Sequence, residues 1–134
     1  MFKTEYRISF SDCDPAGIIF FANLFRIAHI AYEELMNDIG SSEVFFPVSN
    51  FLLPIIHSEA DFINPIQYDQ LIRIDVEVSK LKRSSFELEY KISDGRGKKL
   101  GLIKTVHVAV EKPNFKKTEL PEEFIAKLDP HIRR

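Results

Sequence analysis

The chain has 134 residues, of which 45% are hydrophobic and 28% are charged, a balance typical of a folded globular protein rather than a disordered one. This length predicts one domain, over residues 1–134, with a core of its own and no second domain. The formal net charge is −2, and the basic residues form no long stripe. Both observations argue against a nucleic-acid-binding protein, which must neutralise many phosphates.

The cysteines, histidines and apolar runs limit the chemistry further. Cys13 is the single cysteine, so no intrachain disulfide can form, and the four histidines lack the spacing of a zinc motif. We therefore expect no metal and no organic cofactor. Residues 1–10 lack the apolar core of a signal peptide, and the apolar run Pro15–Phe25 is well short of the ~20 residues that a membrane span needs. The expected location is the cytoplasm, without membrane contact.

The first half of the chain predicts one strand, an acidic turn and one long helix. Alternating polar and apolar residues predict a strand over Tyr6–Phe10, and the acidic turn Asp12–Pro15 follows. The pattern then changes to a helical one over Phe21–Ile39, apolar around most of its circumference, and Gly40 is a natural stop. Residues Ser41–Phe51 have no period and predict a loop or a short helix.

The second half predicts four further strands and a short terminal helix after Pro121. Alternation predicts the strands, which are Leu52–Ile63, Ile72–Val78, Phe86–Ile92 and Leu100–Val110. Such alternation is typical of an antiparallel sheet with one wet face. A helix as apolar as the predicted one must be covered by a sheet or by a partner. The element order therefore predicts an α+β fold in which a curved sheet surrounds one long helix.

The acidic turn before the long helix holds the candidate site. The first N–H groups of a helix have no intrahelical partner, so they would polarise a carbonyl oxygen and stabilise charge that develops on it. Asp14 could attack that carbonyl carbon or deprotonate a water that attacks it, and Gly17 would let a ligand approach the backbone. These parts suit hydrolysis of an activated acyl group such as a thioester. The alternative is that Asp14 is a plain helix N-cap.

The run DCDPAGIIFFAN, from Asp12 to Asn23, resembles the active-site signature of hotdog-fold acyl-CoA thioesterases of the 4-hydroxybenzoyl-CoA thioesterase family. The similarity extends over nearly the whole chain. It implies a five-stranded antiparallel sheet wrapped around one long central helix, the hotdog fold. It also implies that Asp14 is the nucleophile or general base, and that the backbone N–H matching Phe21 polarises the thioester carbonyl.

The substrate is less closely specified by this resemblance. The 4-hydroxybenzoyl enzyme has Trp-Tyr-Pro-Asn where this chain has Phe20 to Asn23, and the run His29–Glu34 is more similar to 1,4-dihydroxy-2-naphthoyl-CoA thioesterases of quinone biosynthesis. Either comparison implies an aromatic acyl group, for which the Phe-rich stretch offers stacking surface. Phe20 and Asn23 are then expected substrate contacts. A short- or medium-chain acyl-CoA, or an acyl-carrier-protein thioester, is the alternative substrate.

Two further groups are candidates for contact with the substrate. Lys82, Arg83 and Ser84 match the family's basic turn that binds the CoA phosphates, although the same residues could be a solvated hairpin end. His29 and Glu33 lie four residues apart on a polar stripe, where they form a helix-surface pair or reach the substrate. The family also pairs its subunits, which implies a homodimer or a homotetramer, a dimer of dimers, with the site shared between subunits.

Three other interpretations compete with this one. Asp12 is expected to be a turn residue rather than a second catalytic carboxylate, and Cys13 is either a small buried residue or a thiol nucleophile. A hotdog hydratase would need a catalytic histidine with a positioned aspartate, and the helix entrance offers no such pair. A non-catalytic acyl-CoA-binding protein would keep Lys82 and Arg83 but would tolerate loss of Asp14.

Overall fold

The computed structural model of the protein describes residues 1–45 and 50–134 and has an α+β fold. Its main strands are β1 (Phe2–Arg7), β3 (Ile55–Phe62), β4 (Leu71–Leu81), β5 (Ser85–Ser93) and β6 (Lys99–Val108). They form one five-stranded antiparallel sheet in the order β1-β4-β5-β6-β3. Two short strands, β2 (Phe51–Leu52) and β7 (Val110–Glu111), pair separately. The predicted five-stranded antiparallel sheet is confirmed.

The predicted helix is confirmed as α1 (Phe21–Asp38), which ends one residue earlier than expected. The chain leaves it through Gly40, whose φ of +72° is a left-handed conformation that favours glycine. One stripe of α1 is buried with the sheet in a common core and consists of Leu24, Ile27, Ala28, Ala31, Tyr32, Leu35 and Met36. This spacing of three and four residues is the apolar stripe of a helix packed on one side. A short terminal helix, α2 (Glu122–Leu128), follows Pro121 as predicted.

The alternation predicted for the middle strands identifies their apolar rows, but the other face is not wholly wet, because Glu77 and Glu89 are buried there. The apolar rows Ile72–Val78 of β4 and Phe86–Ile92 of β5 are buried in the same core as α1. The residues between them lie on the opposite face, where Glu77 of β4 pairs in register with Glu89 of β5. Arg133 bridges both carboxylates, at 2.7 and 2.8 Å. Strand period alone therefore separates the core from the charged face.

The predicted bounds differ from the structure in every strand. Strands β4 and β5 are longer than predicted, and the strand predicted over Leu100–Val110 ends at Val108, with Val110 in the separate β7. The first strand starts at Phe2 and ends at Arg7, because residues Phe10–Asp12 turn into a 3₁₀ helix. The strand predicted over Leu52–Ile63 is divided, because Pro54 has no N–H to continue a ladder. The predicted loop or short helix contains a 3₁₀ helix over Ser42–Phe45, and part of that prediction lies outside the described residues.

Strand β3 forms one edge of the sheet and is mostly exposed, against the expectation of one buried side. It pairs only with β6, so its other edge is open among the described residues. Three of its large apolar side chains are exposed: Ile55 by 41%, Ile56 by 62% and Phe62 by 50%. An open, apolar edge strand of this kind is a template for pairing with another chain.

Candidate active site

Asp14 sits on a tight hairpin loop between the first strand and α1. A bridge between Cys13 and Ile19 closes the loop, and Asp14 N–H donates to the carbonyl oxygen of Ile18 at 3.0 Å. The Asp14 carboxylate accepts the N–H of Ala16 at 2.9 Å, which orients the side chain within the loop. Asp14 is half-buried, so part of its carboxylate is available to a ligand.

Gly17 completes the turn of this loop. Its φ of +80° lies in the left-handed region, and a Cβ at this position would meet no atom within 4 Å. Its N–H donates to the carbonyl oxygen of Asp14 at 3.0 Å. The glycine therefore acts through backbone conformation and open space, and its N–H is already used inside the loop.

The entrance of α1 has no cap from a side chain. Phe20 is the N-cap residue, and the only bond of its N–H is to the carbonyl oxygen of Asp12, at 2.9 Å. Within the described part of the chain, the N–H groups of Phe21 and Ala22 have no hydrogen-bond acceptor. The alternative that Asp14 is the N-cap is wrong. Two backbone donors at the positive end of the helix dipole are thus left for an external acceptor.

Asp14 and the helix entrance border the same cavity, which has a volume of about 470 Å³. Phe20 and Phe21 form its aromatic wall, with ring centroids 5.0 Å apart. The remaining lining residues are mostly apolar and come from the loop itself and from the end of β3: Ile18, Ile19, Phe62, Ile63, Asn64, Pro65 and Ile66. The structure therefore brings together Asp14, an uncapped helix entrance and an apolar cavity.

A second cavity, of about 510 Å³, lies against the same loop. Phe10 and Tyr68 form one wall as an edge-to-face pair with ring centroids 6.3 Å apart, and Cys13, Asp14, Pro15 and Gly17 form the rest. Phe10 is 83% exposed, which is unusual for a large aromatic side chain. This pair could not be predicted from the sequence, because tertiary contacts bring Tyr68 to the loop, among them its N–H bond to the carbonyl oxygen of Gly17 at 3.1 Å.

Asp12 is fully buried, in contrast to its neighbour Asp14. Its carboxylate accepts the Tyr6 hydroxyl at 2.8 Å, the Ser9 N–H and hydroxyl at 2.9 Å each, and the guanidinium of Arg26. Burial opposes ionisation, but the hydrogen bonds from Ser9 and Tyr6 and the charge of Arg26 outweigh it, so the pKa of this carboxyl is lowered. The Ser-x-x-Asp spacing of a capping box was the sequence signal for this buried role.

Asn23 and the helix-surface candidates occupy different environments. The side-chain amide of Asn23 donates one of its two N–H groups to the carbonyl oxygen of Asp12 at 3.0 Å, so that donor is used inside the protein. His29 and Glu33 are exposed on α1, and neither lines the two cavities beside Asp14. No ion pair joins them in the part of the chain that the structure describes; the His29 ring lies 5.5 Å from that of Tyr32.

The Cys13 thiol is poorly suited to nucleophilic attack. Partial burial and the charges of Asp12 and Asp14 raise its pKa, so less thiolate is present. Its sulfur lies 3.6 Å from the carbonyl oxygen of Ser9. The alternative of a thiol nucleophile is therefore disfavoured.

His107 belongs to a buried polar chain rather than to the site. Its Nε2 pairs with the Thr105 hydroxyl at 2.8 Å, which in turn pairs with the Tyr90 hydroxyl at 2.9 Å. Burial lowers the pKa of His107 to about 3, so the ring is neutral at physiological pH. It stacks on Phe86, with ring centroids 4.9 Å apart. This hydrogen-bonded series of buried polar side chains is part of the core.

The basic turn is not close to Asp14 within one chain. Lys82 and Arg83 are exposed in the turn after β4, and Arg83 Nε lies 3.6 Å from a carboxylate oxygen of Glu119. The Asp14 loop is at the other end of that strand, where Ile18 bridges to Gln67. A strand of 11 residues at ~3.3 Å per residue spans about 33 Å. One chain therefore holds the two candidate regions at opposite ends of β4.

The described residues contain neither a cluster suited to a metal ion nor a helix suited to a membrane span. Within residues 1–45 and 50–134, no three His, Cys, Asp or Glu side chains are grouped so that they could hold a metal ion. None of the helices described in the structure is long and apolar enough to cross a membrane.

Comparisons with known proteins place this chain in a family. The profile of the thioesterase-like superfamily matches residues 8–128. A 1,4-dihydroxy-2-naphthoyl-CoA hydrolase from Rippkaea orientalis is 33% identical over 121 residues, covering 88% of each chain. One of the same name from Thermosynechococcus vestitus is 29% identical over 123 residues, covering 91% of this chain and 84% of its own.

The solved structures agree on the fold. A 1,4-dihydroxy-2-naphthoyl-CoA thioesterase from Synechocystis superposes with a TM-score of 0.88 at 25% identity, covering 96% of this chain and 95% of its own. A gentisyl-coenzyme A thioesterase superposes with a TM-score of 0.82 at 20% identity, covering 95% of this chain and 98% of its own, which is a likeness of fold. The relatives named above are hydrolases of CoA thioesters. The chain has the hotdog fold and belongs to the thioesterase-like superfamily.

Proposed function

We propose that this protein is an acyl-CoA thioesterase that hydrolyses an aromatic acyl-CoA to the free acid and CoA. One observation carries the proposal: Asp14 borders the same cavity as an uncapped helix entrance with two unpartnered N–H groups. The relatives named above, which act on 1,4-dihydroxy-2-naphthoyl-CoA, support the same reaction class.

The chemistry follows from these two elements. The thioester oxygen accepts the N–H of Phe21, with the Ala22 N–H beside it, and these donors stabilise the oxyanion. Asp14 then attacks the carbonyl carbon and displaces the CoA thiolate, leaving a mixed anhydride that water hydrolyses; alternatively, Asp14 takes a proton from the attacking water. Rapid quenching followed by mass spectrometry separates the routes, because only the first adds the acyl mass to Asp14.

The preference for an aromatic acyl group rests on the walls of the cavity. Phe20 and Phe21 are 46% and 61% exposed beside Asp14, and Phe62 and Ile63 face the same space. Exposed aromatic rings lose contact with water when a flat ring stacks on them. An aryl acyl-CoA should therefore bind more tightly than a short aliphatic one of equal charge. A panel of aryl, short-chain and medium-chain acyl-CoAs and an acyl-carrier-protein thioester tests this ranking.

We further propose that the site is shared between copies of this chain. The open edge of β3 and its exposed Ile55, Ile56 and Phe62 suit antiparallel pairing with the same strand of a second copy. Lys82, Arg83 and Ser84 are separated from Asp14 by the length of β4, so the turn that binds the CoA phosphates comes from another subunit. The assembly is a homodimer or a dimer of dimers.

Complementation between two inactive variants tests the shared site. Asp14→Asn removes the attacking carboxylate, and Lys82→Ala/Arg83→Ala removes the phosphate contacts. Unfolding the two together and refolding them as a mixture forms hybrids, in which one site combines an intact Asp14 with an intact basic turn. Activity in the mixture, absent from either variant refolded alone, is the expected result. No gain on mixing, although light scattering finds dimers, would rule out a site in which Asp14 of one subunit works with the basic turn of the other.

The activity itself is tested by following loss of the thioester absorbance. Hydrolysis of at least one acyl-CoA by the wild-type chain, lost in Asp14→Asn, is expected. Binding of acyl-CoA without turnover would favour a non-catalytic binding protein. Hydration of an enoyl-CoA with the thioester intact would favour a hydratase.

A further inference from the structure

We propose that Asn23 and Asp12 are positioning residues, which hold the attacking carboxylate and the oxyanion donors in their mutual geometry. The inference rests on the proposed thioesterase function. It gives Asn23 a task different from the substrate contact that the family resemblance implies.

Asp12 joins the two ends of the loop that carries Asp14. The loop begins at Asp12, and its last residue, Phe20, returns to donate its N–H to the Asp12 carbonyl oxygen at 2.9 Å. Asn23, in the first turn of α1, donates its side-chain amide to the same oxygen at 3.0 Å. One carbonyl oxygen therefore joins the loop that carries Asp14 to the helix that offers the Phe21 N–H.

The side chain of Asp12 fixes that carbonyl in the fold. Its buried carboxylate accepts hydrogen bonds from Tyr6 of β1, from Ser9 and from Arg26 of α1. Residues from the first strand and from the helix thus converge on it. With its side chain immobilised by several donors, the carbonyl of Asp12 has a fixed direction.

The bond to Asp12 also selects which helix amides remain available. Because Phe20 N–H is turned to Asp12, the next two N–H groups, of Phe21 and Ala22, are the ones without an acceptor in the described structure. Without the Asn23 bond, the loop and the first helical turn could shift relative to one another. A displacement of about 1 Å between catalytic groups can cost about 100-fold in rate.

Asn23→Ala tests the inference, with Asn37→Ala as its matched control. Asn37 lies on the same helix but is exposed in its last turn, away from both cavities. We expect Asn23→Ala to lower kcat by about 10- to 100-fold and to leave KM within about threefold. Asn37→Ala should change neither. A rise in KM with kcat unchanged would make Asn23 a substrate contact and would overturn the inference, as would unchanged kinetics.

A readout independent of activity separates this inference from the proposed function. Cys13 is the only thiol of the chain and is half-buried in the loop, so opening of the loop exposes its sulfur further and raises its labelling rate by a thiol reagent. Loss of one hydrogen bond worth about 1 kcal/mol favours the opened loop by about fivefold, so labelling should be faster in Asn23→Ala than in Asn37→Ala, by up to that factor. Equal labelling rates would overturn the positioning role. Faster labelling in a chain that hydrolyses no acyl-CoA would refute the thioesterase proposal alone.

Tyr6→Phe provides a second variant if Asn23→Ala does not fold. It removes one donor to the Asp12 carboxylate, at 2.8 Å, and keeps the ring that packs against the core. We expect a smaller loss in kcat of the same kind, again with KM little changed. A variant with wild-type kcat and wild-type Cys13 labelling would contradict the proposed role of Asp12.

Discussion

Asp12 and Asp14 lie two positions apart in the same acidic turn, yet their surroundings have little in common. The Asp12 side chain has no exposure and accepts hydrogen bonds from Tyr6, Ser9 and Arg26. The Asp14 side chain accepts one N–H, from Ala16, and borders two cavities. Each is a carboxylate near the entrance of α1.

The contrast shows that hydrogen-bond occupancy, not position in a motif, separates a structural carboxylate from a reactive one. The lone pairs of Asp12 are engaged by several donors, so it has little capacity to accept a proton from water or to attack a carbon. Asp14 keeps free lone pairs beside a cavity. In the proposed mechanism, the acidic turn therefore combines one anchor with one reactive group.

Replacing the reactive carboxylate should have the largest effect. Asp14→Asn keeps size and the bond to Ala16 but removes the nucleophile or base, so kcat/KM should fall by about 10² to 10⁴-fold. The midpoint of thermal unfolding should stay near that of the wild type. Steady-state kinetics and calorimetry on the same preparation measure both. Retention of full turnover would end the assignment of Asp14.

Replacing Asp12, the anchor, should differ from Asp14→Asn in that it lowers the stability of the fold. Asp12→Asn weakens the buried hydrogen bonds and leaves the guanidinium of Arg26 without its negatively charged partner, which should lower the free energy of unfolding by about 1–3 kcal/mol. Urea unfolding at pH 7 measures the change. A variant as stable as the wild type would show that the buried network contributes nothing.

The pH dependence of that difference should identify the ionised form of Asp12 as the stabilising one. Because its pKa is lowered below the ordinary 3.8, the unfolded chain takes up this proton at a higher pH than the folded chain does. The contribution of ionised Asp12 is complete above about pH 4 and is lost as the pH falls through the folded pKa. The difference in unfolding free energy between wild type and Asp12→Asn should thus be constant from about pH 7 to 5 and shrink below about pH 4.

His107 is the reason for comparing the difference in unfolding free energy between the two proteins rather than the wild-type value alone. Burial lowers its pKa to about 3, so the unfolded chain binds a proton that the folded chain excludes, and stability falls as the pH drops below about 6.5. Wild type and Asp12→Asn share this loss, so it cancels in the subtraction. Urea unfolding at a series of pH values measures both curves; a difference that grows below pH 4 would contradict the assignment to Asp12.

The smallest effect on activity is expected from replacing Cys13, which lies between the two aspartates in sequence. Cys13→Ser should change kcat/KM by no more than about twofold, because the thiol has a raised pKa and no contact that the hydroxyl cannot replace. A thioester assay that uses no thiol reagent is required. Complete loss of activity would instead make Cys13 the nucleophile and Asp14 its neighbour.

The sequence determined those elements whose signal is local. The bounds of α1 and the buried rows of β4 and β5 follow from hydrophobic period, because each residue's side is set by the backbone's own repeat. The sequence also allowed Asp14, Phe20 and Phe21 to be placed together, because one hairpin and the start of one helix connect them.

Only the tertiary structure decided what lies around that local unit. The end of β3, the pair of Phe10 and Tyr68, and the anchoring of Asp12 by Tyr6 and Arg26 depend on which strand ends and helix turns meet. The same topology places the basic turn at the far end of β4 from Asp14. Periodicity specifies the face of an element but not its neighbours, because neighbours are chosen by the packing of the whole core.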